Sequence, residues 1–219
     1  MRTVLITGGT GGLGRAVVAR FAADGWRVVV ADTRSAELEG AEVIGADLTD
    51  PDDVARVLRT AAGDAEAPLG ALANLVGGYA GDQPVATTPF DAFERQFALN
   101  LRPTYLVTQA ALPRLAAAGG GSIVCVSSRS AIHPFAGASG YCASKAAVIA
   151  LAQVVAREAK EDGIRCNAIL PMKIDTPANR AAGDPGGTPP EEIAGVIAFL
   201  CSDASAPTTG AAIPVYGQP

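Results

Sequence analysis

The fold is decided by the stretch Thr3-Val4-Leu5-Ile6-Thr7-Gly8-Gly9-Thr10-Gly11-Gly12-Leu13-Gly14. Its first five residues are apolar or β-branched and predict a buried strand, and an Ala- and Val-rich helical stretch follows the glycines. A tight turn can use glycine on its own, but five glycines in seven positions exceed that need. Bare backbone at a helix N-terminus binds pyrophosphate, so the pattern predicts a dinucleotide-binding turn with contacts at Gly8, Gly12, Leu13 and Gly14.

Short apolar runs alternate with Ala-rich stretches along the rest of the chain. This alternation predicts an α/β fold with a Rossmann-type doubly wound, mostly parallel seven-stranded sheet and helices on both faces. The predicted strands are 3–7, 27–32, 42–46, 71–75, 122–127, 165–170 and 212–215. The predicted helices lie near 13–24, 51–62, 90–118, 141–162 and 190–201.

Length and charge limit the class of protein. The 219 residues suit one domain, 1–219, with a single core. A net charge of −5 with scattered Lys and Arg argues against nucleic acid as a partner. Apolar segments such as 148–156 are too short for a bilayer and Met1 leads straight into a strand, so we expect a cytoplasmic protein without membrane contact.

The cysteines carry no metal signature. Cys125, Cys142, Cys166 and Cys201 stand far apart, form no Cys-x-x-Cys pair and are accompanied by a single histidine. We expect reduced, mostly buried thiols and no metal site.

The end of the second predicted strand bears on the choice of dinucleotide. Asp32 lies 18 residues after Gly14, where an acidic side chain accepts hydrogen bonds from the adenosine ribose. This favours NAD over NADP. Arg34 is a guanidinium two residues further on that can pair with a 2′-phosphate, so NADP stays open.

Three residues form the predicted reaction centre. Tyr141 and Lys145 are four residues apart on one face of a predicted helix. The ammonium should lower the pKa of the phenol and make it an acid and base near neutral pH. Ser128 follows a predicted strand and places a hydroxyl at the carboxyl edge of the sheet, where open α/β folds bind ligands.

These motifs together resemble those of the short-chain dehydrogenase/reductase family, in its compact single-domain branch, over nearly the whole chain. The matching stretches are Thr7-Gly8-x-x-x-Gly12-x-Gly14, Asp47-Leu48, Leu99-Asn100-Leu101, Ser128, Tyr141-x-x-x-Lys145 and Asn167-Ala168-Ile169-Leu170-Pro171. The resemblance implies an NAD(H)-dependent enzyme that moves a hydride between nicotinamide and a carbonyl, alcohol or related substrate.

The resemblance also assigns roles. Ser128 orients the substrate oxygen, Tyr141 transfers the proton, Lys145 also binds the nicotinamide ribose, and Asn100 anchors a proton-relay water. It further implies cofactor contacts at Asp47 and Leu48 for the adenine, at Asn74, and at Ile174 and Thr176 for the carboxamide.

The sequence departs from the family pattern in three places. The usual Asn-Asn-Ala-Gly is replaced by Asn74-Leu75-Val76-Gly77, and Met172 stands where glycine is customary after Pro171. The substrate loop is shortened to about 177–190, and its Gly- and Pro-rich part 181–190 predicts a mobile loop. We expect an unusually open pocket.

Alternatives remain open at this point. A non-redox enzyme or a cofactor-bound binding protein could retain the fold. The stretch Gly77-Gly78-Tyr79-Ala80-Gly81 faintly resembles the loop of dihydropteridine reductases, with Tyr79 as a stacking face, and His133 could contact a substrate. We expect a small-molecule substrate and a homodimer or homotetramer, paired through the helices at 90–118 and 141–162.

Overall fold

The computed structural model describes residues 1–79 and 83–217. Its strands are β1 (Thr3–Thr7), β2 (Arg27–Asp32), β3 (Ala41–Gly45), β4 (Leu69–Asn74), β5 (Gly121–Val126), β6 (Ile164–Pro171) and β7 (Ala212–Val215). Neighbouring strands pair in parallel in the order β3-β2-β1-β4-β5-β6-β7. The order reverses at β1, whose neighbours are β2 and β4, and open α/β sheets bind ligands at such a point. The predicted fold class is confirmed.

Helices cover both faces of this sheet. They are α1 (Gly12–Ala23), α2 (Pro51–Ala61), α3 (Phe90–Asn100), α4 (Arg102–Ala117), α5 (Ser139–Glu158), α6 (Pro177–Ala181) and α7 (Pro190–Cys201). One buried apolar cluster joins one face to α2, α4 and α5, and a second joins the other face to α1 and α7. Because both faces are covered, the inner strands are mostly apolar and deeply buried, and β4 is buried at every position.

The predicted helix over 90–118 is wrong in its continuity. It is divided at Leu101 into α3 and α4, and Pro103 occupies the first turn of α4. Proline has no N–H to continue the hydrogen bonds of α3, but it is well tolerated in the first turn of a new helix. The break places Asn100 at the C-terminal end of α3.

Other predicted bounds agree within two residues, except that α5 ends four residues before the predicted 162. By length and composition α5 is apolar enough to cross a membrane. Its buried residues, Val148, Ala152 and Val155 among them, belong instead to the cluster that packs on the sheet.

The shortened segment after β6 is tied to the edge of the sheet. Thr188 N–H donates to the Lys173 carbonyl at 2.8 Å, and Asp175 N–H donates to the Thr188 carbonyl at 3.0 Å. Lys173 also forms an ion pair with Asp184. The first residue of the loop predicted over 181–190 is therefore the last residue of α6. The Asp184 ion pair holds the middle of this loop, and the Thr188 hydrogen bonds hold it near its end.

Candidate active site

One cavity of about 860 Å³ runs along the carboxyl ends of the strands. It begins at the glycine turn and ends between β5, β6 and the start of α5. Twelve predicted site residues line it: Gly8, Gly12, Leu13, Gly14, Asp32, Asp47, Leu48, Ser128, Tyr141, Lys145, Ile174 and Thr176. The two remaining ones, Asn74 and Asn100, are buried beside it.

The glycine turn brings bare backbone to the cavity. A Cβ on Gly14 would lie 2.6 Å from the carbonyl carbon of Gly9 and closer still to the Gly8 oxygen, so only glycine allows this close turn. Gly8 has a φ of +71°, which favours glycine. In the described chain, α1 has no side-chain cap at Gly11 and no acidic residue in its first turn. Its first N–H groups and dipole are therefore available to a pyrophosphate, and the turn fits a dinucleotide.

Asp32 is buried at the end of β2 and is held by the turn itself. Its Oδ2 accepts hydrogen bonds from the Thr10 N–H at 3.1 Å and the Thr10 hydroxyl at 2.7 Å, and its Oδ1 accepts from the Arg34 N–H at 3.1 Å. Burial raises the pKa of Asp32, but these hydrogen bonds outweigh it and lower the pKa below its usual value. The side chain is an anion that faces the cavity at neutral pH.

The residues assigned to adenine lie after β3. Leu48 is buried and lines the cavity, so it offers an apolar contact for a flat ring. The Asp47 carboxylate accepts from the Thr49 N–H and hydroxyl at 2.9 and 2.7 Å, which lowers its pKa. These contacts fix the loop beside Leu48.

Ser128, Tyr141 and Lys145 converge at the opposite end of the cavity. The Ser128 hydroxyl lies near the Tyr141 phenol and acts to lower its pKa, and Ser128 Oγ accepts a hydrogen bond from the Ser130 N–H at 3.1 Å. Lys145 Nζ donates to the Val126 carbonyl at 3.0 Å at the end of β5. Ser127 Oγ donates to the Lys145 carbonyl at 2.8 Å and fixes α5 to the same strand end. The sheet edge and α5 therefore hold all three predicted residues together.

The electrostatics differ from the sequence-based expectation. Burial raises the pKa of Tyr141, and the neighbouring Ser128 hydroxyl only partly offsets this rise. Burial also lowers the pKa of Lys145 to about 8, although Cys125 opposes the shift. The expectation that Lys145 lowers the Tyr141 pKa is wrong for the protein alone, because the desolvation of both groups dominates.

Asn100 forms hydrogen bonds next to the reaction centre. Its Oδ1 accepts from the Gly78 N–H at 2.9 Å, and its Nδ2 donates to Ser144 Oγ at 3.1 Å. A Cβ on Gly77 would lie 2.6 Å from Asn100 Oδ1 and 2.9 Å from Lys145 Nζ. Gly77 thus lets the loop after β4 pass between these two groups, a packing reason that its place in Asn74-Leu75-Val76-Gly77 did not itself reveal.

Asn74 is placed in the core rather than on the wall of the cavity. Its Nδ2 donates to Thr108 Oγ1 at 2.9 Å and joins β4 to α4, and the side chain is buried. Its assignment as a cofactor contact stays a prediction.

The outer part of the cavity is aromatic. Tyr79 packs edge-on against Tyr141 with ring centroids 5.3 Å apart, and Phe135 lies 6.2 Å from Tyr79. His133 is exposed and outside the lining. Ala80 and Gly81 of the predicted dihydropteridine-reductase-like loop lie outside the described residues. Sequence reasoning did not single out Thr10, Gly77 or Phe135 as functional residues; Thr10 and Gly77 both lay within glycine-containing motifs that could have indicated them.

Known proteins resemble this chain over most of its length. A family model for short chain dehydrogenase matches residues 2–185. The 3-oxoacyl-[acyl-carrier-protein] reductase MabA of Mycobacterium tuberculosis is 33% identical over 229 residues, which cover 99% of this chain and 92% of that protein. Protein FixR of Bradyrhizobium diazoefficiens is 37% identical over 244 residues, which cover 99% of this chain and 86% of that protein.

A solved structure shares the architecture. The 3-ketoacyl-(acyl-carrier-protein) reductase of Brucella melitensis, complexed with NADH, superposes with a TM-score of 0.88 at 26% identity and covers 99% of this chain and 97% of its own. The family model matches most of the sequence, and the relatives are more than 30% identical. Together these matches show the family to which the chain belongs. The chain belongs to the short-chain dehydrogenase/reductase family of NAD(P)-dependent oxidoreductases.

Proposed function

We propose that the protein moves a hydride between NAD(H) and the carbon of a carbonyl or alcohol substrate, with Tyr141 as the proton donor and acceptor. The observation that carries this proposal is the convergence of Ser128, Tyr141 and Lys145 at one end of a single cavity whose other end is the glycine turn. The nicotinamide supplies or accepts the hydride when it is bound. The residues of the chain bind, orient and handle the proton.

A substrate oxygen between Ser128 and Tyr141 would accept hydrogen bonds from both hydroxyls. Because the Tyr141 pKa is raised, the phenol keeps its proton at neutral pH and can donate it to the oxygen as the carbon is reduced. Lys145 has a pKa of about 8, so its ammonium persists near neutral pH, where it stabilises a phenolate once the proton has left.

NAD(H) is favoured by the environment of Asp32. The carboxylate is buried, ionised and directed to the cavity, where it would accept hydrogen bonds from ribose hydroxyls and repel a 2′-phosphate. The nearby guanidinium of Arg34 lies 3.6 Å from Asp32 Oδ1 and is engaged by the same carboxylate.

The first experiment separates an oxidoreductase from a binding protein on the same fold. Titration with NADH should show binding, and a screen of carbonyl compounds should then show NADH oxidation. Acetoacetyl-CoA belongs in the screen because two of the proteins compared reduce 3-oxoacyl thioesters by name. NADH binding without turnover of any compound would favour the non-redox alternative.

We also propose that the chain assembles into a homodimer or homotetramer. A groove between α3, α4 and α5 exposes apolar side chains, including Phe97, Leu101, Tyr105 and Leu151. A second copy of the chain would cover it through a two-fold axis, as expected from the apolar faces of these helices. Light scattering at micromolar concentration should give the mass of a dimer or tetramer, and a monomer mass would refute the idea.

A further inference from the structure

The wall of the cavity beside the proton donor is apolar and open. Tyr79, Phe135 and Met172 line it and are 52%, 51% and 54% exposed. Large apolar side chains that are exposed together along one cavity wall are typical of a surface that binds a ligand. Since Tyr79 contacts Tyr141, this surface begins next to the group that handles the proton.

Several basic side chains lie near the same opening, and most of them form ion pairs with acidic side chains. Lys173 pairs with Asp184, and Arg180 pairs with Asp175 at 3.0 Å. On the cofactor side, the side chain of Arg34 faces Asp32. These cations have their counter-ions within the protein.

Arg129 is the exception. It follows Ser128 in the chain, and its Nη1 lies 3.7 Å from Met172 Sδ on the cavity wall. Its guanidinium stacks over the ring of Tyr216 at 5.7 Å. No carboxylate of residues 1–79 or 83–217 pairs with it. The stacking and the sulfur contact hold an uncompensated positive charge directly behind Met172, next to the residues that line the cavity.

We infer that the substrate is a carbonyl compound with an apolar body and a negatively charged group, with the anion bound by Arg129 and the body by Tyr79, Phe135 and Met172. This inference rests on the proposed function, because it places the reacting carbonyl between Ser128 and Tyr141. A guanidinium pairs with a carboxylate or a phosphate, so the anion belongs either to a small keto or aldehyde acid or to the phosphates of an acyl-CoA.

The charge is tested with matched substrates. The experiment has two arms, each comparing an anionic with a neutral substrate. The first compares 3- and 4-carboxybenzaldehyde with their methyl esters, and the second compares acetoacetyl-CoA with the neutral acetoacetyl thioester of N-acetylcysteamine. In at least one arm the wild type should favour the anionic compound by about tenfold in kcat/KM, and the arm that shows it identifies the source of the anion. Arg129→Gln should remove this preference through KM with little change in kcat, and Arg129→Lys should restore part of it.

Arg114→Gln is the control. Arg114 is exposed on α4 away from the cavity, and the substitution changes the net charge equally. Equal turnover of charged and neutral compounds in both arms would overturn the inference. So would an equal loss of preference in Arg114→Gln and Arg129→Gln.

The apolar surface is tested through Phe135, because this ring contacts Tyr79 and has no ring contact with Tyr141 among the described residues. Phe135→Leu should raise KM for the carboxybenzaldehydes about 2- to 10-fold and leave that for glyoxylate, a small anion, unchanged. An equal effect on both would show that the ring only supports the loop.

Failure of the proposed function is distinguishable from failure of this inference. If no compound oxidises NADH, calorimetry with 4-carboxybenzyl alcohol and benzyl alcohol still tests the site. Binding of the carboxylate alone, abolished in Arg129→Gln, supports the anion site without redox chemistry. Equal binding of the two alcohols, or of neither, overturns it.

Discussion

The two ends of the cavity are built on different principles. At the cofactor end the contacts come from backbone and from buried groups that already have partners, such as the glycine turn and Asp32 with Thr10. At the proposed substrate end the groups on offer are half-exposed rings and Arg129, a charge without a counter-ion in the described chain. Under the proposed function, cofactor binding should therefore depend on close backbone packing, whereas substrate choice should depend on side chains that cost little to exchange.

The reaction centre lies between these ends and shares features of both. Tyr141 touches the open aromatic wall through Tyr79, while Lys145 is buried and bonded to the end of β5. Substitutions at the two residues should therefore separate chemistry from binding.

The largest effect is expected for Tyr141→Phe. The change deletes the hydroxyl and keeps the ring that packs on Tyr79, so the melting temperature and the Kd for NADH should stay close to wild type. Loss of a positioned acid should lower kcat by about 10²–10⁴. Steady-state kinetics and NADH fluorescence titration measure the two quantities on one sample.

Lys145→Ala provides the contrast. The ammonium is expected to contact the nicotinamide ribose as well as the phenolate, so both kcat and NADH affinity should fall. Near-normal turnover in Tyr141→Phe would mean that the proton comes from elsewhere, and the proposal for Tyr141 would fail.

The next effect is a pH dependence of stability. Folding lowers the pKa of Lys145 from 10.5 to about 8, so between these values the unfolded chain binds more protons than the folded one. The free energy of unfolding should therefore rise with pH across this window, by on the order of 3 kcal/mol from this group. Below pH 8 the full penalty of a buried ammonium remains.

Lys145→Met is the matched variant because the Met side chain is similar in length to that of Lys and carries no charge. Urea unfolding of both proteins from pH 7 to 10.5 gives the comparison. As the pH rises, the free energy of unfolding should increase more for the wild type than for the variant. If the free energies of the two proteins changed in parallel with pH, the assigned burial of the ammonium would be contradicted.

A smaller effect is expected at the glycine turn. In Gly14→Ala the added Cβ meets backbone atoms of Gly8 and Gly9 that cannot move aside, so the variant should lose about 1–3 kcal/mol of stability. Gly11→Ala is the control: its Cβ would have its nearest contact at 3.4 Å, and Gly11 has a φ of −71°. Chemical unfolding should show a change within about 0.5 kcal/mol there, and similar losses in both would refute the steric argument.

The same contrast explains how much the sequence predicted. Local patterns located the sheet, the glycine turn and the Tyr141–Lys145 face, because periodicity and helical spacing act over a few residues. They missed the break at Leu101, although Pro103 is a local signal for it. They also missed Gly77, because its need arises where Asn100 and Lys145 meet across the fold.

The electrostatic error has a similar origin. Spacing brings Lys145 near Tyr141, but it does not report how strongly each is desolvated, which depends on every element packed around them. Phe135 and Arg129 were missed as site residues because loop residues carry no periodic signal, and only their contacts with Tyr79 and Met172 reveal where they lie.

The smallest expected effect sharpens the cofactor end of the comparison. The wild type should bind NADH about tenfold or more tightly than NADPH, because the ionised Asp32 repels a 2′-phosphate. Asp32→Asn keeps an oxygen for the hydrogen bonds of Thr10 and removes the charge, so it should narrow this ratio. Arg34→Gln should barely change it, since the guanidinium is 68% exposed and faces Asp32. If Arg34→Gln instead weakens NADPH binding more than Asp32→Asn strengthens it, the guanidinium recognises the phosphate, and the preference for NADH is wrong.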